Sequence, residues 1–312
     1  MRAPEFWNHR GFAARTLAPL GLLYGASVAW KARHARAFRA GAKVVCVGNL
    51  TAGGSGKTPV AIALAQMLIA RGKTTFFLTR GYGGQTRGPA EVNTNSDMAQ
   101  MGDEALLLAR VAPTIVARDR AQGARLAEAR GAEMIVMDDG HQNFSLAKDI
   151  SLVVVDGETG FGNGLMIPAG PLREPVAQGL ARADAVIVVG DGTPDLQGYA
   201  GPVVRVHLTP QDDSLRGRRV FAFAGIGRPD KFVASLKEIG AEIAGTQFFG
   251  DHHVFRAGEI AGLRSRAAGA QLVTTEKDFV RLSAADRKDI AVLKIAATLA
   301  GDMAPLLDRL LS

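Results

Sequence analysis

The sequence lacks several features that mark secreted, fibrous or membrane-spanning proteins. Cys46 is the only cysteine among 312 residues, which excludes a disulfide framework and favours a reducing, cytosolic compartment. Neither an internal repeat nor a low-complexity tract is present, and the apolar stretch 17–30 is too short to span a bilayer core of about 30 Å. The remaining composition, 47% hydrophobic and 21% charged, is that of an ordinary globular protein, and the length favours two domains.

Basic charge is concentrated at the N-terminus. Residues 1–42 carry seven basic side chains against Glu5 alone, whereas the whole chain has a net charge of +7. A nucleic-acid-binding protein would spread basic residues over a folded face with interleaved aromatics. We therefore expect no nucleic-acid partner, and nothing in the sequence points to an obligatory protein partner. The basic segment is expected to have a role of its own.

Residues 1–42 are predicted to form an amphipathic helix at a membrane interface. The apolar stretch 17–30 lies between Arg15 and Lys31, and basic side chains near anionic lipid each contribute roughly 1 kcal/mol. A signal peptide and a helix packed on the protein's own body are the alternatives. The predicted apolar anchors are Phe6, Trp7, Phe12, Tyr24 and Trp30, and the predicted cationic face consists of Arg33, Arg36 and Arg39.

A phosphate-binding loop is predicted at residues 48–59, which read G-N-L-T-A-G-G-S-G-K-T-P between an apolar run and a helical pattern. Glycines let successive backbone N–H groups point at phosphate oxygens, and the following helix N-terminus favours negative charge. Lys57 is placed to reach the outer phosphates and Thr58 to reach a Mg²⁺ ion. The predicted triphosphate-binding residues are Gly53, Gly54, Ser55, Gly56, Lys57 and Thr58.

The front half of this loop departs from two known patterns. Thr51 stands where the usual motif has glycine, and Ala52 stands where membrane-associated switch or partitioning ATPases carry lysine. A plain glycine-rich turn remains an alternative for the loop. A nucleotide-switch ATPase, or a P-loop protein that only binds a partner, remains an alternative for the chain.

Apolar runs alternate with helical patterns after the loop, which predicts an α/β fold with a P-loop NTPase-type parallel sheet flanked by helices. The predicted strands are 75–78, 114–117, 134–137, 152–155, 185–189 and 203–206, and the predicted helices are 59–70, 103–111, 120–129 and 175–181. A polar stretch at 212–217 precedes a second series, with strands 220–224, 242–247 and 271–274 and helices 229–239 and 257–266. The predicted divisions are the N-terminal segment 1–42, a P-loop domain 43–215 and a smaller α/β domain 216–312.

Two adjacent carboxylates end the predicted strand at 134–137. Asp138 and Asp139 would lie at the edge of the sheet where the phosphate-binding loop lies, because parallel strands share their carboxyl edge. Phosphoryl transfer needs a carboxylate near Mg²⁺. We therefore expect this pair on the metal or its water shell, with Asp156 at the end of the next strand as the competing candidate.

Several motifs together resemble the tetraacyldisaccharide 4′-kinase family. They run in order from residue 4 to residue 278, and the longest are six or more residues. The matching segments are 4–7 (PEFW), 48–59, 80–84 (RGYGG), 102–104 (GDE), 138–143 (DDGHQN), 162–164 (GNG), 168–175 (PAGPLREP), 223–226 (FAGI), 251–253 (DHH) and 275–278 (TEKD). His141 differs from the aromatic residue commoner at that position and is left unassigned.

The resemblance implies an ATP- and Mg²⁺-dependent kinase that phosphorylates the 4′-hydroxyl of a lipid A disaccharide precursor at the cytoplasmic face of the inner membrane. It also implies that Asp103 is the base for that hydroxyl and that His252 pairs with it. Without the resemblance, Asp103 would be taken as a helix cap. If His252 pairs with Asp103, the second domain must fold over the first and complete the site.

Other motif residues have weaker assignments. Arg173 is expected to stabilise the transferring phosphoryl group or to bind a substrate phosphate, with a surface ion pair as its alternative. Glu174, Arg80 and Tyr82 are expected near the substrate. The triplet 251–253 also occurs in manganese phosphoesterases, but the other metal clusters of that class are missing from the sequence. Residues 276–278 are left unassigned.

Overall fold

The computed structural model describes residues 4–93, 96–300 and 303–311. Arg2, one of the seven basic residues of the N-terminal segment, lies outside these ranges, as do the first and last residues of the predicted divisions, 1–3 and 312. The strands are β1 Lys43–Gly48, β2 Thr75–Thr79, β3 Ala90–Glu91, β4 Thr114–Val116, β5 Met134–Asp138, β6 Ile150–Asp156, β7 Ala185–Val189, β8 Val203–Pro210, β9 Arg219–Ala224, β10 Glu242–Phe248, β11 Gln271–Thr275, β12 Ile290–Leu293 and β13 Ile295–Ala300. The helices are α1 Phe12–His34, α2 Lys57–Ala70, α3 Met98–Met101, α4 Asp103–Leu108, α5 Arg120–Ala129, α6 Val176–Leu180, α7 Pro229–Glu238, α8 Ala257–Ala267, α9 Glu276–Arg281 and α10 Ala304–Leu311, with a short 3₁₀ helix at Glu5–Asn8.

Two sheets organise the described chain. The larger has nine strands in the order β13-β8-β7-β6-β1-β5-β2-β4-β3, and the smaller has four in the order β10-β9-β11-β12. All neighbouring strands are parallel except the two edge pairs, β13 with β8 and β3 with β4. This arrangement confirms the predicted α/β class with a large parallel sheet flanked by helices.

The larger sheet is buried on both faces, which explains its continuous apolar runs. Val45 and Val47 of β1 pack with α2 in one core cluster, whereas Val44 and Cys46 pack with α5 in another. Strand β1 pairs with β5 so that Val47 is opposite Asp138. The loop after β1 and the carboxylate that ends β5 therefore lie side by side.

The end of the chain does not follow the predicted division at residue 215. Strand β13 adds to the larger sheet next to β8, and Leu307 and Leu310 of α10 join the core cluster that contains α2. The apolar side of α10 is thus buried against the larger sheet. The smaller sheet lies within residues 219–293, which with their helices are called the smaller domain below; the rest of the described chain is called the larger domain.

Most predicted elements occur within a few residues of their expected bounds, but the basic residues after α1 do not share a helical face. The helix ends at His34, because Ala35 takes an extended conformation with ψ of 133°, and Phe38 then pairs with the backbone of residues 145 and 147. Arg36 and Arg39 therefore lie beyond the helix, and the predicted cationic face was wrong for both.

One face of α1 packs on the protein. Ala14, Gly21 and Gly25 are buried, and a Cβ atom at Gly21 would lie 2.8 Å from the backbone oxygen of Met166, so the helix approaches the 163–171 loop closely. The other face exposes apolar side chains, namely Phe12, Leu20, Leu22, Leu23, Tyr24 and Trp30. None of the helices in the described ranges combines the length and the hydropathy that crossing a membrane requires.

The segment before α1 is also held by the 163–171 loop. The indole N–H of Trp7 donates to the backbone oxygen of Pro168 at 3.0 Å, and Asn163 donates to the oxygen of Phe6 at 3.1 Å. Both predicted anchors are half-buried. This placement favours a structural role for Phe6 and Trp7 over insertion into lipid.

Candidate active site

The phosphate-binding loop connects β1 to α2. Gly53 and Gly56 have φ of 113° and 84°, a region that glycine adopts without steric cost, and Gly56 is the residue that precedes α2. Lys57 and Thr58 form the first turn of that helix. The predicted combination of curled glycine backbone, lysine, hydroxyl and helix N-terminus is therefore assembled in one place.

The side chain of Asn49 bridges two parts of this loop by hydrogen bonds. Its amide nitrogen donates to the backbone oxygen of Thr51 at 2.7 Å and to Ser55 Oγ at 3.0 Å. The backbone oxygen of Asn49 in turn accepts from Gln142 at 2.9 Å. Ser55 is buried, so its hydroxyl shapes the loop as well as lying among the expected phosphate-binding residues.

A hydroxyl and a carboxylate meet at the start of α2. Thr58 Oγ1 donates to Asp138 Oδ2 at 3.2 Å. Asp138 Oδ1 is buried and has no hydrogen-bond partner among the described residues. Burial, with a contribution from the charge of Glu104, raises the pKa of Asp138 to about 7. An orphaned carboxylate oxygen beside a threonine hydroxyl fits the oxygen-ligand preference of Mg²⁺.

Asp139 occupies a different environment from its neighbour. It has φ of 54°, and its Oδ1 lies 2.7 Å from Arg173 Nη1 and 3.6 Å from Lys57 Nζ. Although burial opposes the effect, Lys57 and Arg173 lower the pKa of this carboxyl. The predicted residues Lys57, Arg173 and Asp139 are thus brought together in one charged cluster.

Asp156, the competing metal candidate, faces the smaller domain. Its Oδ2 accepts from Arg228 at 2.6 Å and from Lys231 at 2.8 Å. Burial opposes ionisation, but the hydrogen bond from Lys231 and the charge of Arg228 outweigh it and lower the pKa of Asp156 to about 2. These contacts link the two parts of the chain and occupy Asp156 Oδ2 with two cations, whereas Asp138 Oδ1 has no partner among the described residues.

Asp103 and His252 meet across the two domains. Asp103 is the first residue of α4 and is buried; its Oδ2 lies 3.1 Å from His252 Nδ1. Burial opposes ionisation of Asp103, but the hydrogen bond from His252 and the charge of Arg281 outweigh it and lower the pKa of the carboxyl. The same hydrogen bond raises the pKa of His252. The expected pair is formed, with Arg281 as an additional partner that no motif indicated.

Glycines let the 80–84 loop lie against this pair. Gly102 has φ of 86°, and a Cβ atom there would collide with the backbone oxygen of Tyr82. The Tyr82 ring lies 5.2 Å from the His252 ring, centroid to centroid, and is 63% exposed. Arg80 is also exposed, so both residues remain available to a substrate.

Glu104, the residue after Asp103, is paired with a lysine of the smaller domain. Its Oε1 lies 2.6 Å from Lys277 Nζ, and Lys277 and Lys57 both act to lower its pKa. Of the previously unassigned residues 276–278, Lys277 thus reaches the larger domain. Asp278 accepts from the backbone N–H of Gly225 at 3.0 Å and supports Arg281.

Glu174 is buried and fully engaged by neighbouring side chains. It is 2% exposed, and its two oxygens accept from Gln142 at 2.8 Å and Arg182 at 2.6 Å. The predicted substrate contact of Glu174 therefore does not agree with its position. Through Gln142 it instead supports Asn49 and the phosphate-binding loop.

His141 is a buried structural residue. Its Nε2 lies 3.0 Å from the backbone oxygen of Gly179, and its Nδ1 lies 3.0 Å from Ser151 Oγ. Burial lowers its pKa to about 3, so the neutral ring donates through Nε2, because a carbonyl only accepts. A Cβ atom at Gly48 would lie 2.6 Å from that of His141, which explains the glycine at the end of β1.

Both histidines of the 251–253 triplet, which also occurs in manganese phosphoesterases, are paired with carboxylates. His252 is paired with Asp103, and His253 Nε2 lies 2.9 Å from Glu259 Oε2. In the part of the chain that the structure describes, His, Cys, Asp and Glu side chains form no group of three or more suited to a metal ion.

Known proteins are similar to this chain over nearly its whole length. The family model of the tetraacyldisaccharide-1-P 4′-kinases, LpxK, matches residues 13–312. Proteins named tetraacyldisaccharide 4′-kinase from Paramagnetospirillum magneticum and Rhodospirillum rubrum are 51% and 48% identical to it; the alignments cover 99% and 100% of this chain and 99% and 98% of theirs. In fold, the chain is similar to a crystal structure of LpxK from Aquifex aeolicus in complex with ATP, with a TM-score of 0.76, 24% identity, and coverage of 96% of this chain and 98% of that one.

Proposed function

This chain belongs to the tetraacyldisaccharide-1-P 4′-kinase family, and we propose that it transfers the γ-phosphoryl group of ATP to the 4′-hydroxyl of a tetraacyldisaccharide 1-phosphate. One observation carries the proposal. The helix that begins at Lys57 of the P-loop contacts the helix that begins at Asp103, and Asp103 is paired with His252. A triphosphate site and a hydroxyl-activating site therefore adjoin at one edge of the sheet.

Positioning and charge neutralisation supply most of the catalysis in such a reaction, because the transition state of phosphoryl transfer is loose. The loop backbone from Gly53 to Gly56 holds the phosphates. Lys57 and Arg173, now paired with Asp139, lie where they can neutralise charge on the transferring group.

Mg²⁺ would neutralise charge on the phosphate oxygens when bound. Thr58 and Asp138 are the residues that would hold it, because Asp138 Oδ1 is buried without a partner among the described residues. Asp139 reaches the metal or its water shell only if it exchanges its present ion pairs with Lys57 and Arg173.

Asp103 is the proposed base. As the bond between the 4′-oxygen and phosphorus forms and the bond from phosphorus to the ADP oxygen breaks, the hydroxyl proton passes to the Asp103 carboxylate. His252 orients that carboxylate. Since His252 belongs to the smaller domain and Asp103 to the larger, the reactive arrangement requires the two domains to be closed on each other. Arg80 and Tyr82 flank this position as candidate sugar or lipid contacts.

The exposed face of α1 is the proposed contact with a membrane. Leu20, Leu22 and Leu23 are 52%, 66% and 69% exposed, and Arg15 and Lys31 lie on the same helix. An apolar face with basic residues binds an anionic interface without spanning it. Because the proposed co-substrate is ATP, we place this interface at the cytoplasmic face of the inner membrane.

Labelled ATP distinguishes this function from nucleotide hydrolysis. Purified protein is incubated with γ-labelled ATP, Mg²⁺ and the disaccharide 1-phosphate lipid in mixed micelles. We expect the label on the 4′-oxygen of the lipid, and no such product with Lys57→Ala. Release of inorganic phosphate at the same rate with and without lipid, and no labelled lipid, would instead favour a switch-type ATPase.

A further inference from the structure

Arg281 is a buried cation at the junction of the two domains. It ends α9, and 1% of its side chain is exposed. Within the smaller domain, its Nη1 donates to the backbone oxygen of Gly225 at 2.7 Å and to Asp278 Oδ1 at 2.8 Å. These two bonds fix the Nη1 side of the planar guanidinium within the smaller domain.

The other side of the guanidinium holds Asp103. Arg281 Nε donates to Asp103 Oδ2 at 2.8 Å, and Nη2 makes a second, short contact with the same oxygen. Arg281 Nη2 also lies 3.3 Å from His252 Nδ1. Asp103 Oδ2 is therefore occupied by donors from two residues of the smaller domain.

Asp103 Oδ1 is left in a different state. Its hydrogen bond within the described residues comes from the backbone N–H of Glu104 at 2.9 Å. A carboxylate oxygen has two lone pairs, so Oδ1 retains capacity to accept a further proton. The two oxygens therefore differ because Arg281 bonds to Oδ2 and not to Oδ1.

We propose that Arg281 is a positioning residue for phosphoryl transfer, which fixes Asp103 by Oδ2 beside His252 and leaves Oδ1 to receive the hydroxyl proton. The inference rests on the proposed function of Asp103 as the base. Arg281 acts through Asp103 and is not itself placed on the substrate.

A second ion pair joins the same two helices, α9 and α4. Lys277 and Arg281 are four residues apart on α9, so they lie on one helical face. They pair with two consecutive residues of α4, Lys277 with Glu104 at 2.6 Å and Arg281 with Asp103. The smaller domain thus holds the start of α4 by two cations at once.

The charges around Asp103 determine the sign of the expected pH effect. Cations face it from α9 (Arg281 and Lys277) and from the loop after β10 (His252); carboxylates near it are Glu104 on its own helix, Asp278 on α9 and, beyond His252, Asp251. Since Arg281 acts to lower the pKa of Asp103, removal of its charge raises that pKa. The acid limb of kcat/KM then moves to higher pH.

The test compares Arg281→Gln and Arg281→Lys with the wild type in the labelled-ATP transfer assay. For Arg281→Gln we expect kcat to fall at least about tenfold, the KM for ATP to change little, and the acid limb to rise by about one to three pH units. Arg281→Lys keeps the charge but not the fork, so its acid limb should stay near that of the wild type while kcat falls.

Arg287→Gln is the matched control, because Arg287 supports α9 by bonds to the backbone oxygens of Phe279 and Val280. It should leave the acid limb unmoved. Wild-type kcat and pH profile in a folded Arg281→Gln protein would overturn the inference. If Arg281→Gln does not fold, wild-type kcat in Arg281→Lys would overturn it. Asp103→Asn separates the two levels: if it keeps wild-type activity, the proposed base itself is wrong.

Discussion

At the scale of single residues, the shape of the phosphate-binding loop depends on Asn49. Its buried amide bridges the backbone of Thr51 and the hydroxyl of Ser55, so it spans the part of the loop that departs from the usual glycine pattern. Gln142 and Glu174 support it in turn. This chain of side-chain hydrogen bonds holds the front of the loop, where no glycine stands at position 51.

We therefore expect Asn49→Ala to weaken ATP binding by about thirtyfold, because the two lost hydrogen bonds contribute about 1 kcal/mol each. Isothermal titration with a non-hydrolysable ATP analogue measures the change. Asn143→Ala is the matched control, since Asn143 Oδ1 accepts from Ser145 and, among the described residues, makes no hydrogen bond to the loop. Equal affinities in the two variants would show that Asn49 does not shape the binding site.

Residues in motifs were easier to predict than the residues that support them. Lys57, Thr58, Asp138, Asp103 and His252 all stand in short motifs, and the structure brings them to one edge of the sheet. Arg281 stands in no motif, and its partner Asp103 is far away along the chain. Glu174 lies in a motif but is buried, because burial depends on the surrounding chain and cannot be read from a local pattern.

At the scale of secondary-structure elements, α1 has two different apolar faces. The face with Gly21 and Gly25 is fixed by the close approach to Met166, while Leu22 and Leu23 point outward. Sequence alone offered membrane contact and packing on the protein as alternatives. The packed face is present in the structure, and the exposed face leaves membrane contact as a proposal for the other side of the same helix.

Replacing Leu22 and Leu23 together with asparagine tests that proposal without disturbing the packed face. Each leucine that is fully buried on membrane binding contributes about 1.5–3 kcal/mol, so vesicle binding should weaken at least about tenfold. Co-sedimentation with vesicles of anionic phospholipid measures it. Ile69→Asn, on the exposed side of α2, is the control, and an equal loss in both proteins would contradict a specific role for α1.

At the scale of the whole molecule, ionic contacts between the domains accompany the Asp103 site. Asp156 at the end of β6 is bonded to Arg228 and Lys231 at the start of α7. After the smaller domain, the chain returns to the larger sheet, where β13 is the edge strand next to β8. The smaller domain is therefore tied to the larger one by these ion pairs and by the segment that leaves it.

Asp156→Asn should lower the free energy of unfolding by about 2 kcal/mol at pH 7, because the pKa of Asp156 falls to about 2 in the folded protein from about 3.9 when unfolded. A carboxyl whose pKa is lowered by folding stabilises the folded protein at pH values above its unfolded pKa. The difference in free energy of unfolding between wild type and Asp156→Asn should therefore persist from pH 7 to 5 and shrink below pH 4. Urea unfolding followed by circular dichroism measures it. Glu158→Gln, with 62% of its side chain exposed, should cost under about 1 kcal/mol, and a pH-independent difference for Asp156→Asn would contradict the account.

The overall class of the fold could be predicted from the alternation of strands and helices, but the route of the chain could not. Strand β13 joins a partner that lies about ninety residues earlier, and its short apolar run carries no signal for that choice. The burial of Leu307 and Leu310 against the larger sheet decides it. Long-range packing of this kind is visible only in three dimensions.

The central claim is that Asp103 and His252, from different domains, act as one unit in phosphoryl transfer from ATP to the 4′-hydroxyl. The direct measurement is kcat for this transfer in the wild type, Asp103→Asn, His252→Gln and the double variant. We predict a loss of about 10²–10⁴ for Asp103→Asn, a smaller loss for His252→Gln, and a double variant no slower than Asp103→Asn. Losses that multiply in the double variant, or near-normal transfer by Asp103→Asn, would contradict it.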